Sequence, residues 1–416
     1  MQQQHSIVDA LQGVIDFVYQ NKCPWYVDFW RQQGLFSKPD IETAAAFTQL
    51  PMVTKQDFVS SGHPHNYTFV PLANVLSFRS TSGTTGTELF VFPRGCFSPD
   101  LRTTLVQNGA KSFLYMGGVQ KNATTAFDYL TLGMKITTGD LHRLNEVPQL
   151  VIQNQVDTIS ATPTALLRMG PLLVQSQCES MIRYIVIYGE LLTHDMRTQI
   201  QALYPQANIY TEYSLSESGQ GIAYTTPACD LDLNCYHSHE SAHCEIVEGE
   251  IVITTLAKPH PLPLIRYRTG DAAKWREHKC SCGHISNQVF ELTGRINVDV
   301  VKVGGLELRY SALEKSVQQL PSTIVIDSIS ATVAVNKDNQ ISIHLYVALS
   351  LETKVVGAIA STVIQEVVQD HWFLTQTKSL AHYIANQRCL HPVIHLVDNA
   401  DQLALKKVGI KLITDS

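Results

Sequence analysis

The sequence predicts a large α/β domain followed by a small α+β domain, and three observations carry that prediction. Between residues 111 and 188, short apolar runs alternate with helical stretches, the pattern of an α/β body with a mainly parallel sheet. From Leu292 to Gly305 a polar link bounded by glycines then joins two strand-like runs, which is how a hinge between domains reads. Beyond it the order becomes helix, strand, strand, helix, strand, a small α+β unit. The boundary is placed between residues 298 and 299.

The chain has 416 residues, 44% hydrophobic and 16% charged, long enough for two or three domains with a sizeable core. A net charge of −6 offers no basic patch, which argues against nucleic acid and anionic membrane as partners. The start Met1-Gln2-Gln3-Gln4-His5 lacks the regions of a signal peptide, and no run approaches the ~20 apolar residues of a membrane span. A cytoplasmic protein is the expectation, with a homodimer kept among the expected partners. Nine cysteines argue for reduced thiols or a metal rather than a disulfide framework.

Taken in order, the first seventy residues are helical and connective, with helices near Ile7–Tyr19 and Trp25–Trp30 and a turn over 50–58 capped by Thr54. Next comes Ser80-Thr81-Ser82-Gly83-Thr84-Thr85-Gly86-Thr87, between the apolar runs 75–78 and 89–92. It reads as a hairpin loop built for phosphate, because glycines turn several N–H groups toward one point and the hydroxyls add donors around an anion. No Gly-Lys-Ser/Thr follows at Walker A spacing, and a plain flexible linker is the rival reading.

Strand-like runs follow at 111–115, 134–138, 156–160 and 182–188, with helical stretches at 124–132 and 165–175. The run Ile185-Val186-Ile187-Tyr188 ends at Gly189-Glu190, and ligands in open α/β sheets bind beyond the carboxyl ends of strands. A further strand at 207–210 leads into Tyr213-Ser214-Leu215-Ser216-Glu217. An aromatic, a hydroxyl and a carboxylate within five residues suit stacking on a base, binding phosphate and holding Mg2+; a solvated polar loop is the alternative. In Tyr267-Arg268-Thr269-Gly270-Asp271, an aspartate after a glycine turn can accept both hydroxyls of a ribose, and Arg268 can contact phosphate. The C-terminal unit reads as a helix at 311–320, strands at 324–334 and 341–348, a helix at 354–370 and a strand at 393–397.

These pieces, in this order, resemble the adenylate-forming superfamily and, within it, the phenylacetate-CoA ligase family. Leu50-Pro51 with Thr54, Lys55 and Asp57 looks like that family's entry segment, and residues 80–86 like its ATP-phosphate loop, which also lacks a following lysine. Tyr188-Gly189-Glu190 is similar to the adenine-side turn, and 213–217 to Tyr-Gly-x-Ser/Thr-Glu with Ser214 in place of glycine. Tyr267–Asp271 matches the Tyr-Arg-Thr-Gly-Asp ribose motif in full.

Two departures stand out. The hinge is Asp299 by spacing to Lys302, or Val298 by spacing to Arg295. The tail reads Lys406-Lys407-Val408-Gly409-Ile410-Lys411, which puts Lys411 one position late for the family's catalytic lysine; Lys407, Lys406 or a solvated tail cation stay open.

The resemblance implies ATP and Mg2+ as ligands, with Glu217 on the metal, residues 80–86 on the β/γ-phosphates, and Gly189, Glu190, Tyr213, Ser216, Asp271, Arg295 and Lys302 on the nucleotide side. It implies Lys411 and Arg268 as catalytic cations and a C-terminal lid that rotates between two half-reactions. The reaction implied is conversion of a small carboxylic acid to acyl-AMP, then transfer to CoA or another thiol such as a carrier protein's, or to an amine. An inactive ATP-binding relative is the remaining alternative. The acid pocket would draw on Tyr115, Gly117, Thr125, Phe127 and Thr162, whose other reading is core packing.

Five of the nine cysteines fall into Cys280-Ser281-Cys282 and an earlier cluster of Cys229, Cys235, His237, His239, His243 and Cys244. Two separated ligand pairs suit tetrahedral Zn2+, with surplus candidates. Some phenylacetate-CoA ligase relatives carry a structural zinc, and Cys229, His237, Cys280 and Cys282 fit their spacing best. Reduced surface thiols are the alternative.

Overall fold

The structure is a computed structural model that describes residues 2–20, 24–62, 79–80, 90–91, 99–116, 133–140, 143–218, 221–256, 262–277, 280–283, 288–296, 300–304, 306–336, 338–350, 353, 357–375, 377–397 and 410–412. The chain divides into two compact units. One comprises Met1–Ala161, Leu172–Tyr188 and Tyr204–Gly294, the other Thr162–Pro171, Gly189–Leu203 and Arg295–Ser416.

The first unit opens with helices α1 (Gln2–Gln20) and α2 (Pro24–Gln32). Leu11, Val14, Ile15 and Val18 of α1 and Tyr26 and Trp30 of α2 are buried, the three-and-four spacing of an amphipathic helix. After the short α3 (Ala44–Phe47), the capped turn is a helix, α4 (Lys55–Ser60), with a full capping box between Thr54 and Asp57. Strands β1 (Arg79–Ser80) and β2 (Phe90–Val91) pair antiparallel, so a hairpin brackets residues 81–89, which lie outside the described residues. Helix α5 spans Pro99–Gln107.

The main sheet is built from β3 (Ser112–Met116), β4 (Lys135–Gly139), β5 (Thr158–Ala161), β6 (Tyr184–Tyr188), β7 (Asn208–Ser214), β8 (Gly221–Thr225), β9 (Cys235–Ser238), β10 (Ala242–Val247), β11 (Glu250–Thr255), β12 (Tyr267–Arg276) and β13 (Val289–Arg295). Helices α6 (Val147–Asn154), α7 (Pro163–Gln175) and α8 (His194–Leu203) lie between its earlier strands in the chain. The order is β10-β11-β12-β13-β9-β8-β7-β6-β5-β3-β4.

The expectation of a mainly parallel sheet needs correction. The block β4-β3-β5-β6-β7 is parallel, and β3, β5 and most of β6 are buried throughout, as strands covered on both faces are. The pairs β7/β8, β8/β9, β9/β13, β11/β12 and β10/β11 are antiparallel, so the sheet is mixed. The links in that half, such as 215–220 and 248–249, are too short for the crossover a parallel neighbour needs.

In the second unit, β14 (Val300–Val303) and β15 (Leu306–Arg309) form a hairpin. Helix α9 (Tyr310–Val317), β16 (Ile326–Val335), β17 (Ile341–Leu349), α10 (Gly357–His371), α11 (Leu380–Ala385), β18 (Val393–Val397) and β19 (Ile410–Leu412) follow. The sheet order is β18-β17-β16-β19. Alternate residues Ile341, Ile343, Leu345 and Val347 of β17 join Ile329, Ala331 and Val333 of β16, Leu313, Ile364 and Val368 of the helices, and Trp372 just past α10 in one core. Neither α11 nor β19 is expected from the sequence, because each is too short to show a period.

Candidate active site

Two sequence motifs meet where β7 leaves the parallel block. Tyr213 is in the strand rather than in a loop, and its hydroxyl donates to Asp271 Oδ2 on β12 at 2.8 Å. The turn that presents Asp271 is set by one carboxylate. Glu250 accepts from Gly270 N at 2.7 Å and from Arg268 Nε at 2.7 Å, and Arg268 Nη2 lies 2.6 Å from it. Gly270 has φ +75°, a conformation glycine takes without the Cβ penalty. The register between β11 and β12 shifts at this point, so the ribose motif sits on a bulge. Arg268, expected on a phosphate, is thus held in the turn by an acidic partner.

The entry segment is sewn to the same strand. Val53 N donates to Arg266 O at 3.0 Å, and Arg268 N donates to Val53 O at 2.8 Å. Phe58 stacks between Trp25 (4.4 Å) and Tyr267 (6.3 Å). The Tyr26 hydroxyl donates to Pro263 O and accepts from Ile265 N, both at 3.0 Å. These attachments carry α4 to the motif 213–217, where Lys55 Nζ lies 3.9 Å from Glu217 Oε1, with side chains 22% and 16% exposed. Sequence reading gave Lys55 no role of its own, and nothing local signals its partner far along the chain.

A second residue that sequence reading missed is Arg266. It is buried, with φ +47°, and grips Glu245 through Nε and Nη2, each at 3.0 Å, while Nη1 donates to Leu50 O. The pair is bidentate, the geometry that suits a guanidinium.

The remaining predicted positions fall as follows. Ser216 is partly buried beside Glu217. Gly189 has φ +81°. Glu190 accepts from Thr164 Oγ1 at 2.7 Å and from Thr164 N at 3.4 Å. Thr162 Oγ1 accepts from Ala165 N at 3.3 Å at the start of α7. Tyr115 is buried and stacked on Tyr188 at 5.9 Å. Ser80 pairs with Phe90, Lys302 with Glu307 and Lys411 with Thr332 along their strands. Arg295 ends β13 and is exposed. Thr81, Ser82, Gly83, Thr84, Thr85, Gly86, Gly117, Thr125, Phe127 and Asp299 lie outside the described residues.

The four favoured zinc candidates come together. Donor atoms of Cys229, His237, Cys280 and Cys282 all lie within 4.8 Å of one another, and Cys282 Sγ is 3.4 Å from His237 Nε2. His237 is on β9, opposite Val289 of β13. Cys229 accepts from Thr226 N at 3.4 Å within its own loop, and Ser281 N donates to Asp230 Oδ1 at 3.3 Å, which ties the two cysteine loops together. None of these cysteines is in a disulfide. Three sulfurs and an imidazole form a donor set of structural zinc type. The surplus candidates Cys235, His239, His243 and Cys244 are not in this group; His239 bonds Ser241, and His243 packs edge-on to Phe47.

No family model matches the chain. In sequence it is similar to the phenylacetate-coenzyme A ligase of Thermus thermophilus, 22% identical over 357 residues that make up 76% of this chain and 75% of that protein. In structure it is similar to 2-hydroxyisobutyryl-CoA ligase in complex with 2-HIB-AMP and CoA, with TM-score 0.72 and 16% identity over 99% of this chain and 90% of that one. It is also similar to the amide bond synthetase McbA from Marinactinospora thermotolerans, with TM-score 0.51 and 15% identity over 77% of this chain and 65% of that one. The fold is that of the adenylate-forming enzymes.

Proposed function

We propose that the chain activates a carboxylic acid with ATP and passes the acyl group to a thiol, with CoA as the main reading. The hydrogen bond between Tyr213 and Asp271 carries it, because it unites the base-side and ribose-side motifs in one place, with the Lys55–Glu217 pair attached to the same strands. In the first half-reaction a carboxylate oxygen attacks the α-phosphorus of ATP, the bond to the β-phosphate oxygen breaks, and pyrophosphate leaves with the electron pair. The carboxylate is already ionised near neutral pH, so positioning and charge neutralisation do the work. In the second, the acceptor attacks the acyl carbon, gives up its proton, and AMP leaves.

Asp271 holds the ribose hydroxyls, Tyr213 the base, and residues 80–86 the β/γ-phosphates. Glu217 holds Mg2+, which supplies charge neutralisation at the phosphates, and Lys55 is then the cation displaced from its carboxylate. Lys411, or Lys407 or Lys406, serves the first half-reaction, and the segment 299–416 acts as the lid. Cys229, His237, Cys280 and Cys282 hold a zinc that contributes folding energy and takes no part in the chemistry.

An amine acceptor is the second reading, favoured by the likeness to an amide bond synthetase. Hydroxylamine trapping of acyl-AMP tests the first step. Mass detection of products with CoA against a panel of amines tests the second, and hydroxamate formation with neither product overturns both acceptors.

A further inference from the structure

The sheet of the second unit is polar on the face turned away from its core. Ile341, Ile343, Leu345 and Val347 of β17 join that core, so the residues between them, Ser342, His344 and Tyr346, line the opposite face. β18 lies at the edge of the sheet, parallel to β17, with Val393 opposite His344 and His395 opposite Tyr346.

Two attachments hold β18. On the core side Ile394 packs against the apolar cluster, and Gln365 Nε2 of α10 donates to Pro392 O, just ahead of the strand, at 2.9 Å. On the outer side His395 Nε2 lies 2.9 Å from His344 Nδ1. The two rings are 12° apart in plane, with centroids separated by 5.2 Å, which places them edge to edge, joined by an N–H···N hydrogen bond. The Tyr346 ring stacks on His395 at 4.8 Å, and Ser342 Oγ lies 3.2 Å from His344 Nε2.

This bond accepts one added proton but not two. With both rings neutral, one nitrogen donates and the other accepts, and the Ser342 hydroxyl serves either tautomer of His344 because it can donate or accept. A first added proton leaves an imidazolium N–H against a bare nitrogen. A second sets two N–H groups against each other without an acceptor and adds repulsion between like charges, so the rings titrate as a pair. Burial holds His344 below the ordinary imidazole value, and the charge of His395 lowers it further.

The surroundings offer little relief. β16 sets Ser330 opposite Tyr346 and Thr332 opposite His344, and the neighbour of Thr332 on β19 is Lys411, another cation. Arg388, in the link ahead of β18, is a further cation and is bonded to Gly304 O. Asp327, the carboxylate of β16, is exposed at that strand's start. Glu314, Lys315, Glu366, Asp370, His371 and His382 are exposed on the helices that pack on the core side.

We propose that His344 and His395 form a proton-sensitive clasp, which ties edge strand β18 to the sheet at neutral pH and releases it in acid. The opened strand binds a proton that the closed pair refuses. The clasp's contribution is therefore complete above the ordinary imidazole value of about 6.5 and is lost as the pH falls through the lower value of the folded pair. Nothing in this depends on the reaction proposed above.

The test is hydrogen exchange of the full chain read by mass spectrometry at about pH 7.5 and about pH 5.5, one unit either side of the ordinary imidazole value. Rates are corrected for intrinsic exchange, and wild type is compared with His344→Gln and His395→Gln, whose amides can bond without titrating. One refused proton changes the ratio of closed to open strand roughly tenfold over this range. The wild-type peptide covering Val393–Val397 should lose about that much protection at the lower pH, and the same peptide of either variant less than about twofold. An equal loss in the variants, an equal loss in the peptide covering β16, or no loss in the wild type would overturn the proposal. A second measurement needs no variant. With nitrogen-15 in the histidine rings, a nitrogen–nitrogen coupling across the shared hydrogen bond should appear in NMR spectra at the higher pH and vanish at the lower. No such coupling at the higher pH, or one that persists at the lower, would remove the clasp.

Discussion

Asp271 owes its place to Glu250, which ties Gly270 and Arg268 into the bulge, and to Tyr213, which reaches it from another strand. Replacing Tyr213 with Phe removes one hydrogen bond worth about 1 kcal/mol, so ATP affinity should fall several-fold by calorimetry. Asp271→Ala should cost more, about 1–3 kcal/mol, since it leaves a ribose hydroxyl pair without its acceptor. Arg266 and Glu245 answer to stability instead. Glu245→Ala strands a buried guanidinium and should destabilise the fold by about 3–5 kcal/mol in denaturant melts; a change under about 1 kcal/mol would show the pair to be dispensable. Asp271 and Glu217 are legible in the sequence because their neighbours repeat a known pattern. Arg266 and Lys55 are not, since their meaning lies in partners that only the folded chain brings near.

The capped helix α4 and the cysteine loops are elements whose position matters more than their length. Thr54→Ala removes the cap of α4 and should cost about 1 kcal/mol, and because Lys55 starts that helix, it should also loosen the Lys55–Glu217 pair. Cys280→Ser or Cys282→Ser should lower the Tm and release zinc, since a structural site contributes folding energy. Elemental analysis of the purified chain should find one zinc per molecule, and a metal-free, equally stable protein would remove the site. The apolar strands β3, β5 and β6 are read directly from the sequence. Strands β8 to β11 are not, because runs such as Cys235-Tyr236-His237-Ser238 are fully buried yet mix polar residues with aromatic ones and show no alternation. The same residues announce themselves instead as metal candidates.

The proposed reaction runs in two halves, which a lid variant can separate. If Lys411 acts in adenylation alone, Lys411→Ala should cut that step roughly a hundredfold or more while sparing turnover of supplied acyl-AMP; loss of both steps, or of neither, would move the role elsewhere. In the sequence the polar, glycine-bounded link reads as a break in pattern, whereas the tail lysine is ambiguous because neighbouring cations at 406, 407 and 411 differ only in spacing. The reaction itself is best examined by ATP–pyrophosphate exchange over a panel of carboxylic acids, with wild type and Glu217→Gln side by side. Exchange should depend on the acid and fall at least a hundredfold in the variant with an unchanged melting temperature. A folded wild type that exchanges with no acid, or a variant that exchanges as well as the wild type, would contradict it.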